Sequence, residues 1–297
     1  MSKRRIMHMI TPSDSVSPFD VNMAVDAGYE VIVPHCGVGE SMVADFIQDA
    51  IFSRPPKSAS TTGVFIGGGD INRASEMLEI AKKAMVPPFE VSVLADPNGA
   101  FTTSAALVAI IEKSLNEQAA ENLKGSNMKI FGGGPVGLST AVLAKERGAS
   151  VSLIRLTASA DDGAVSNFAA RFGVDIDSRR AVEQSERIAE AADAQVIVTT
   201  AKAGIQVLGK EALDQASSLL IAADVNAVPP TGIEGVEVMH SGDDVVCKWG
   251  SFKSIGALGI GRVKYKTQLE LLKSMLTSED SQVLGLSDAY TEAARHA

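Results

Sequence analysis

The feature that most restricts the fold is a glycine run between an apolar strand and a helical pattern: Met128-Lys129-Ile130-Phe131, then Gly132-Gly133-Gly134-Pro135-Val136-Gly137. Gly132, Gly134 and Gly137 fit G-x-G-x-x-G, and the strand before and helix after, running to about Arg147, supply the context that pattern requires. Gly132 would allow a tight turn, Gly134 would let a pyrophosphate approach bare backbone, and Gly137 would let helix and strand pack closely. The helix N-terminus adds N–H groups and partial positive charge for the phosphates. A glycine cluster can also end a strand for purely structural reasons, so the reading rests on the βαβ setting. It predicts cofactor contacts at Gly132, Gly134, Pro135, Val136 and Gly137, and at Thr200 and Ala201 after the strand Val196–Thr199.

The length of 297 residues suggests two domains at roughly 150 residues each. With 45% apolar and 21% charged residues, the chain can bury a sizeable core without metals or staples. Arg5–Ile10, Tyr29–Val33, Gly63–Gly67 and Val91–Ala95 read as strands, each followed by a helical pattern, as in a parallel sheet. The polar stretch Glu117–Asn127 separates this block from a second series of strands, Met128–Phe131, Val151–Ile154, Val196–Thr199 and Leu219–Ala223. Beyond the glycine-punctuated stretch Gly256–Gly261 the pattern is helical to Ala297. The expected fold class is α/β: a parallel N-terminal domain over 1–125, a Rossmann-type dinucleotide-binding domain over 126–265, and C-terminal helices, 266–297, packing back on the first.

A net charge of −9 and a pI near 5.0 repel phosphate backbones and anionic lipid, which argues against nucleic acid as a partner. Two distant cysteines, Cys36 and Cys247, argue against a disulfide framework, point to a reducing compartment and are expected as free core thiols. The apolar run in the N-terminal MSKRRIMHMITP is too short for a signal peptide, and no stretch of about 18 apolar residues could span a membrane, so a cytoplasmic location is expected. His8, His35, His240 and His296 show no ligand spacing, so no metal is expected.

An acid at the end of the second Rossmann strand would bond the adenosine ribose and repel a 2′-phosphate. Here Leu153-Ile154-Arg155-Leu156-Thr157 carries none before Asp161. Arg155 or Thr157 could hold a 2′-phosphate, which permits NADP beside NAD; the alternative is that Arg155 is a solvated surface residue. Elsewhere, Ser17-Pro18-Phe19-Asp20 has the shape of a capping box as well as of a ligand segment. Asp96-Pro97-Asn98-Gly99 is turn chemistry, and Thr102 or Thr103 could cap the next helix, yet the segment leaves the carboxyl end of a strand, where open α/β sheets bind ligands. Gly67-Gly68-Gly69-Asp70 leaves another strand in the same way. Asp224 and Asn226 follow a strand, with Pro229-Pro230 stiffening their loop.

Read together, Ser17–Ala24, Ser53-Arg54, Gly63–Gly68, Val86–Phe89, Ala95–Thr103, Ala223–Pro230 and Ile255–Gly261 run collinearly along the chain, and it resembles the methylene-tetrahydromethanopterin dehydrogenases of methylotrophic bacteria, especially the NAD- or NADP-accepting subgroup. The resemblance implies an N-terminal pterin domain, a Rossmann-type domain and a homo-oligomer, a trimer. It implies oxidation of methylene- to methenyl-tetrahydromethanopterin in formaldehyde metabolism, with tetrahydrofolate as a possible second carrier. Ser17, Phe19, Asp20, Asp96, Asn98, Phe101, Thr102, Thr103, Asp224 and Asn226 become the expected substrate contacts. Lys264 matches the lysine the family places near its active site. An ammonium would oppose a cationic product, so Lys264 should bind polar atoms of the substrate or be neutral when hydride leaves; an exposed lysine at a helix start is the alternative. The chain departs from NADP-specific relatives where they have Gly-Arg and it has Arg155-Leu156.

The rival dehydrogenases acting on methylene-tetrahydrofolate use Tyr-x-x-x-Lys, and none of Tyr29, Tyr265 and Tyr290 has lysine four residues on. A non-catalytic NAD(P) sensor is the rival from another class, against which the strand-end segments of the first domain argue.

Overall fold

A computed structural model describes residues 3–119, 123–157 and 162–297. Asp161 and positions 120–122 of the expected boundary segment lie outside the described residues. The chain forms two compact units: Met1–Thr102 with Tyr265–Glu292 and His296, and Thr103–Lys264 with Ala293–Arg295 and Ala297.

In the first unit four βα repeats build a parallel sheet: β1 (Ile6–Thr11), α1 (Pro18–Ala27), β2 (Val31–Cys36), α2 (Glu40–Phe52), β3 (Thr62–Ile66), α3 (Ile71–Ala84), β4 (Ser92–Ala95) and the start of α4 (Ala100–Ala119). A short late strand, Val283–Leu284, pairs with β4, giving the spatial order Val283–Leu284, β4, β3, β1, β2. The central β3, Thr-Gly-Val-Phe-Ile, is buried at every position, as expected for a strand covered on both faces. β2 lies at the edge, where Pro34, which has no N–H to donate, is tolerated.

The second unit continues α4 and adds β5 (Asn127–Phe131), α5 (Pro135–Glu146), β6 (Ser150–Arg155), α6 (Asp162–Arg171), β7 (Asp177–Arg180), α7 (Gln184–Ala191), β8 (Val196–Thr199), α8 (Lys210–Gln215), β9 (Ile221–Asp224), β10 (Ser241–Cys247) and β11 (Gly250–Ile255). The sheet order is β10-β11-β9-β8-β5-β6-β7, parallel except for the β10–β11 hairpin. The long α9 (Ala257–Thr277), then β12 (Val283–Leu284) and α10 (Leu286–Ala293), complete the chain. The units change over inside helices, after Thr102 in α4 and after Lys264 in α9, whereas the polarity of residues 117–127 pointed to 125/126.

Two expectations need correction. Cys36 is exposed and Cys247 half-buried, both free; each ends an edge strand, β2 or β10, and so neither is a core thiol. Helix α9 begins at Ala257 rather than after Gly261. A Cβ on Gly256 would lie 2.0 Å from the carbonyl oxygen of Glu237, and one on Gly259 would lie 2.8 Å from that of His240. These glycines therefore serve the close packing of the helix start, not a loop ahead of it.

On the first sheet the His8 and His35 rings meet, Nδ1 to Nε2 at 3.1 Å, with Phe46 of α2 edge-on to both. Burial, then the nearby His35 and Arg54, hold His8 below the ordinary imidazole value, and burial lowers His35. Both rings thus favour the neutral form in the fold. Their contribution to stability is present above about pH 6.5 and is lost as pH falls through the lowered values. Melting followed by calorimetry is expected to give a lower Tm at pH 5 than at pH 7.5, with a shallower slope in His8→Gln; an unchanged slope would remove the pair from the balance.

Candidate active site

In the second unit the chain runs from β5 to β6 and β7 on one side and places β8 and β9 on the other, so the carboxyl ends of β5 and β8 flank a topological switch point. Gly132 leaves β5 at φ +124°, where a side chain would be strained, and its missing Cβ would meet Thr200 Oγ1 at 2.7 Å. That hydroxyl donates to the Gly132 carbonyl at 2.9 Å, tying the two strand ends together. A Cβ on Gly137 would stand 1.9 Å from the same carbonyl oxygen, so only glycine lets α5 pack on this turn. A Cβ on Gly134, by contrast, would have nothing within 4 Å of it. Gly134 is the N-cap of α5, and no side chain caps the helix there. Bare backbone, open space and a helix N-terminus together fit a pyrophosphate.

Around that turn, Pro135 opens α5, and the Val136 carbonyl accepts from the hydroxyls of Ser104 and Thr140. Thr200 is half-buried, Ala201 packs against the core, and Thr157 is exposed. Arg155 ends β6 and is only 4% exposed, so it is not the solvated surface residue of the alternative reading. Its Cγ lies 3.1 Å from the position of a Cβ on Gly133, stacking its stem along the glycine turn. Asp224 is buried: it accepts from Thr199 Oγ1 at 2.6 Å, Gly232 N at 2.6 Å and Asn226 N at 3.1 Å. Burial pushes its carboxyl up, and the hydroxyl and N–H donors partly offset this. Asn226 accepts from Gly204 N and Val228 N and donates to the Pro230 carbonyl. These two side chains shape their loop.

The first unit repeats the geometry. From β1 the chain passes to β2 on one side and to β3 and β4 on the other, and a cleft opens at the carboxyl ends of β1 and β3. Its walls include Thr11, Ser13, Ser15, Ser17 and Asp20 from the β1–α1 segment, Gly67 and Gly68 after β3, and Asn98. Of the two readings of Ser17-Pro18-Phe19-Asp20, the capping box does not form. Ser17 is the N-cap without a side-chain bond, Pro18 at the first position has no N–H, and the buried Asp20 accepts instead from Gln268 Nε2 at 2.8 Å. Phe19 is 44% exposed.

After β4, Asp96 is wholly buried and accepts from Phe101 N at 3.0 Å, Thr102 N at 3.2 Å and Thr102 Oγ1 at 2.6 Å. The carboxylate, rather than Thr102 or Thr103, thus holds the start of α4, because its two oxygens reach both the N–H groups and the hydroxyl. Phe101 and Thr102 are buried and Thr103 half-buried, while Asn98 is exposed with φ +48°, a conformation asparagine tolerates. Asp70 caps α3 through Asn72 N and Arg73 N. Lys264 is half-exposed within α9 and is not a helix-start residue.

Ser17, Asp20 and Asn98 therefore share one cleft, whereas Asp96, Phe101 and Thr102 do not line it and bond one another at the start of α4. Ser13, Ser15 and Gln268 were missed. The two serines carried a signal, since they directly follow a strand end; Gln268 carried none, because nothing local marks a buried polar side chain on an apolar helix face.

The family model described as methylene-tetrahydromethanopterin dehydrogenase, N-terminal, matches residues 18–98. The NAD(P)-dependent methylenetetrahydromethanopterin dehydrogenase of Methylorubrum extorquens is 42% identical over 294 residues, covering 97% of either chain. The chain belongs to the methylene-tetrahydromethanopterin dehydrogenase family. Among solved structures, an NAD-dependent malic enzyme from Thermotoga maritima aligns with TM-score 0.59 at 8% identity, over 98% of this chain and 84% of that one. Ornithine carbamoyltransferase from Pyrococcus furiosus gives 0.53 at 14%, over 93% and 84%. At such identities these show the α/β fold alone. In this methylene-tetrahydromethanopterin dehydrogenase family member, the matched stretch holds Phe19, Asp20, Asp96 and Asn98, and the glycine turn lies outside it.

Because a side chain on Gly134 would enter open space, Gly134→Val is expected to leave the fold intact and to weaken NAD(P) binding, the valine occupying the approach to the backbone. Titration followed by cofactor fluorescence, with a melting curve as control, checks this; unchanged affinity would take the turn out of the site.

Proposed function

We propose that this chain oxidises 5,10-methylene-tetrahydromethanopterin to the methenyl form by hydride transfer to NAD(P)+ in one-carbon, formaldehyde-linked metabolism. The observation that carries the reading is the 42% identity, over 97% of the chain, to a relative of that name. The open, uncapped backbone at Gly134 supports it from the geometry. We assign NAD(P) to the second unit, with Gly132, Gly134, Pro135, Val136, Gly137, Thr200 and Ala201 around the phosphates, and the pterin to the cleft of the first. The state that goes with this reading is a cytoplasmic homo-oligomer, a trimer.

A methylene carbon between two nitrogens releases hydride readily, since a nitrogen lone pair stabilises the amidinium-like cation. NAD(P)+ supplies the hydride acceptor. Little acid or base catalysis is needed, so the residues chiefly position and compensate charge. Hydroxyls of Ser13, Ser15 and Ser17 and the amide of Asn98 offer hydrogen bonds to the polar pterin edge. Asp20 presents a carboxylate to balance the positive charge that appears as hydride departs. Lys264 binds a polar atom of the ring system, away from the reacting carbon, where an ammonium would oppose the cation. Asp96, Thr102, Asp224 and Asn226 keep the strand-end loops in shape.

Mixing the protein with NAD(P)+ and methylene-tetrahydromethanopterin, with the tetrahydrofolate analogue for comparison, should generate reduced nicotinamide; none with either carrier would end the proposal. Lys264→Ala is expected to lower kcat/KM for the pterin by about tenfold or more with little change in cofactor affinity, and wild-type kcat/KM would make the lysine ordinary surface. With Arg155 and no acid at the end of β6, NADP should be used, alone or beside NAD. Arg155→Ala should raise KM for NADP about tenfold and leave NAD little changed; equal effects on both would clear the guanidinium of a 2′-phosphate role.

A further inference from the structure

We infer that Gln268 is a positioning residue for the pterin site: its side-chain amide fixes the orientation in which Asp20 presents its carboxylate to the substrate. The inference rests on assigning the first unit's cleft to the pterin.

Asp20 stands on α1 and Gln268 on α9, and both belong to the first unit. Gln268 is wholly buried and Asp20 is 5% exposed, with Nε2 donating to Oδ1 at 2.8 Å. A helix face that only had to pack would carry an apolar residue here, because burying an amide costs stability unless it is hydrogen-bonded. Packing of α9 is already supplied by Leu271, Leu272 and Met275, each at most 4% exposed. What the amide adds is direction. A hydrogen bond to one carboxylate oxygen restrains both torsions of the short aspartate side chain, and with them the plane in which it meets a ligand. Charge compensation works best when the compensating group is oriented before the charge develops, since no reorganisation is then needed during the step. Asp20 is a carboxylate on the cleft wall, and Gln268 is a buried donor that orients it.

The test is a double-mutant cycle on the full chain. Gln268→Met keeps length and approximate volume but removes the donor; it should lower kcat/KM for methylene-tetrahydromethanopterin about tenfold or more, chiefly in kcat, with NAD(P) affinity unchanged. Gln268→Glu, of equal size, places a second carboxylate against Asp20 and should lose as much, which keeps the test alive if the methionine variant folds poorly. In an Asp20→Asn background the Gln268→Met change should bring little further loss, the signature of two residues acting as one unit. Wild-type kcat/KM in either single Gln268 variant, or losses that multiply fully in the double variant, would overturn the inference while leaving the cleft assignment standing. Wild-type activity in Asp20→Asn would instead overturn the cleft assignment and this inference with it.

Discussion

The second unit depends on one close approach. A Cβ on Gly137 would sit 1.9 Å from the Gly132 carbonyl oxygen, so the first turn of α5 can rest on the end of β5 only because that atom is missing. The same carbonyl accepts the Thr200 hydroxyl from the end of β8. A single peptide oxygen thereby gathers strand, helix and neighbouring strand at the point where the sheet reverses its winding. Loosening it would misplace the uncapped N-terminus of α5 and the stem of Arg155 together.

Both units use the same topological device, a parallel sheet whose winding reverses beside its first strand, and each opens a crevice at the carboxyl ends of the two strands at the reversal. They differ in lining. The second presents glycine backbone and a helix end, and the first presents hydroxyls, an amide and a carboxylate. This difference in lining is what the proposed reading uses to put a phosphate-bearing cofactor in one and a polar ring system in the other.

Buried parallel strands were legible because their apolar runs are continuous: β3, β4 and β8 lie close to the spans read from the sequence. β7, Asp-Ser-Arg-Arg, and β10, Ser-Gly-Asp-Asp-Val-Val-Cys, were not, because edge strands need bury neither face and so carry no hydrophobic period. Glycines were legible as a motif but ambiguous as to purpose. Gly134 faces open space, whereas Gly256 and Gly259 admit backbone carbonyls, and only three-dimensional neighbours distinguish these roles. The same holds for carboxylates. Asp20, Asp96 and Asp224 all stand at or after strand ends in sequence, yet one lines a cleft, one holds a helix start and one closes a loop.

After β3 and β4 the N–H groups at the starts of α3 and α4 are taken by the chain's own carboxylates, Asp70 and Asp96. The attraction those helix ends would exert on an anion is already answered from within. At α5 the corresponding position is glycine and supplies no such answer. At these three turns the carboxylates act as resident counter-ions at the starts of α3 and α4, whereas the glycine of α5 leaves the same backbone dipoles for an incoming anion to satisfy.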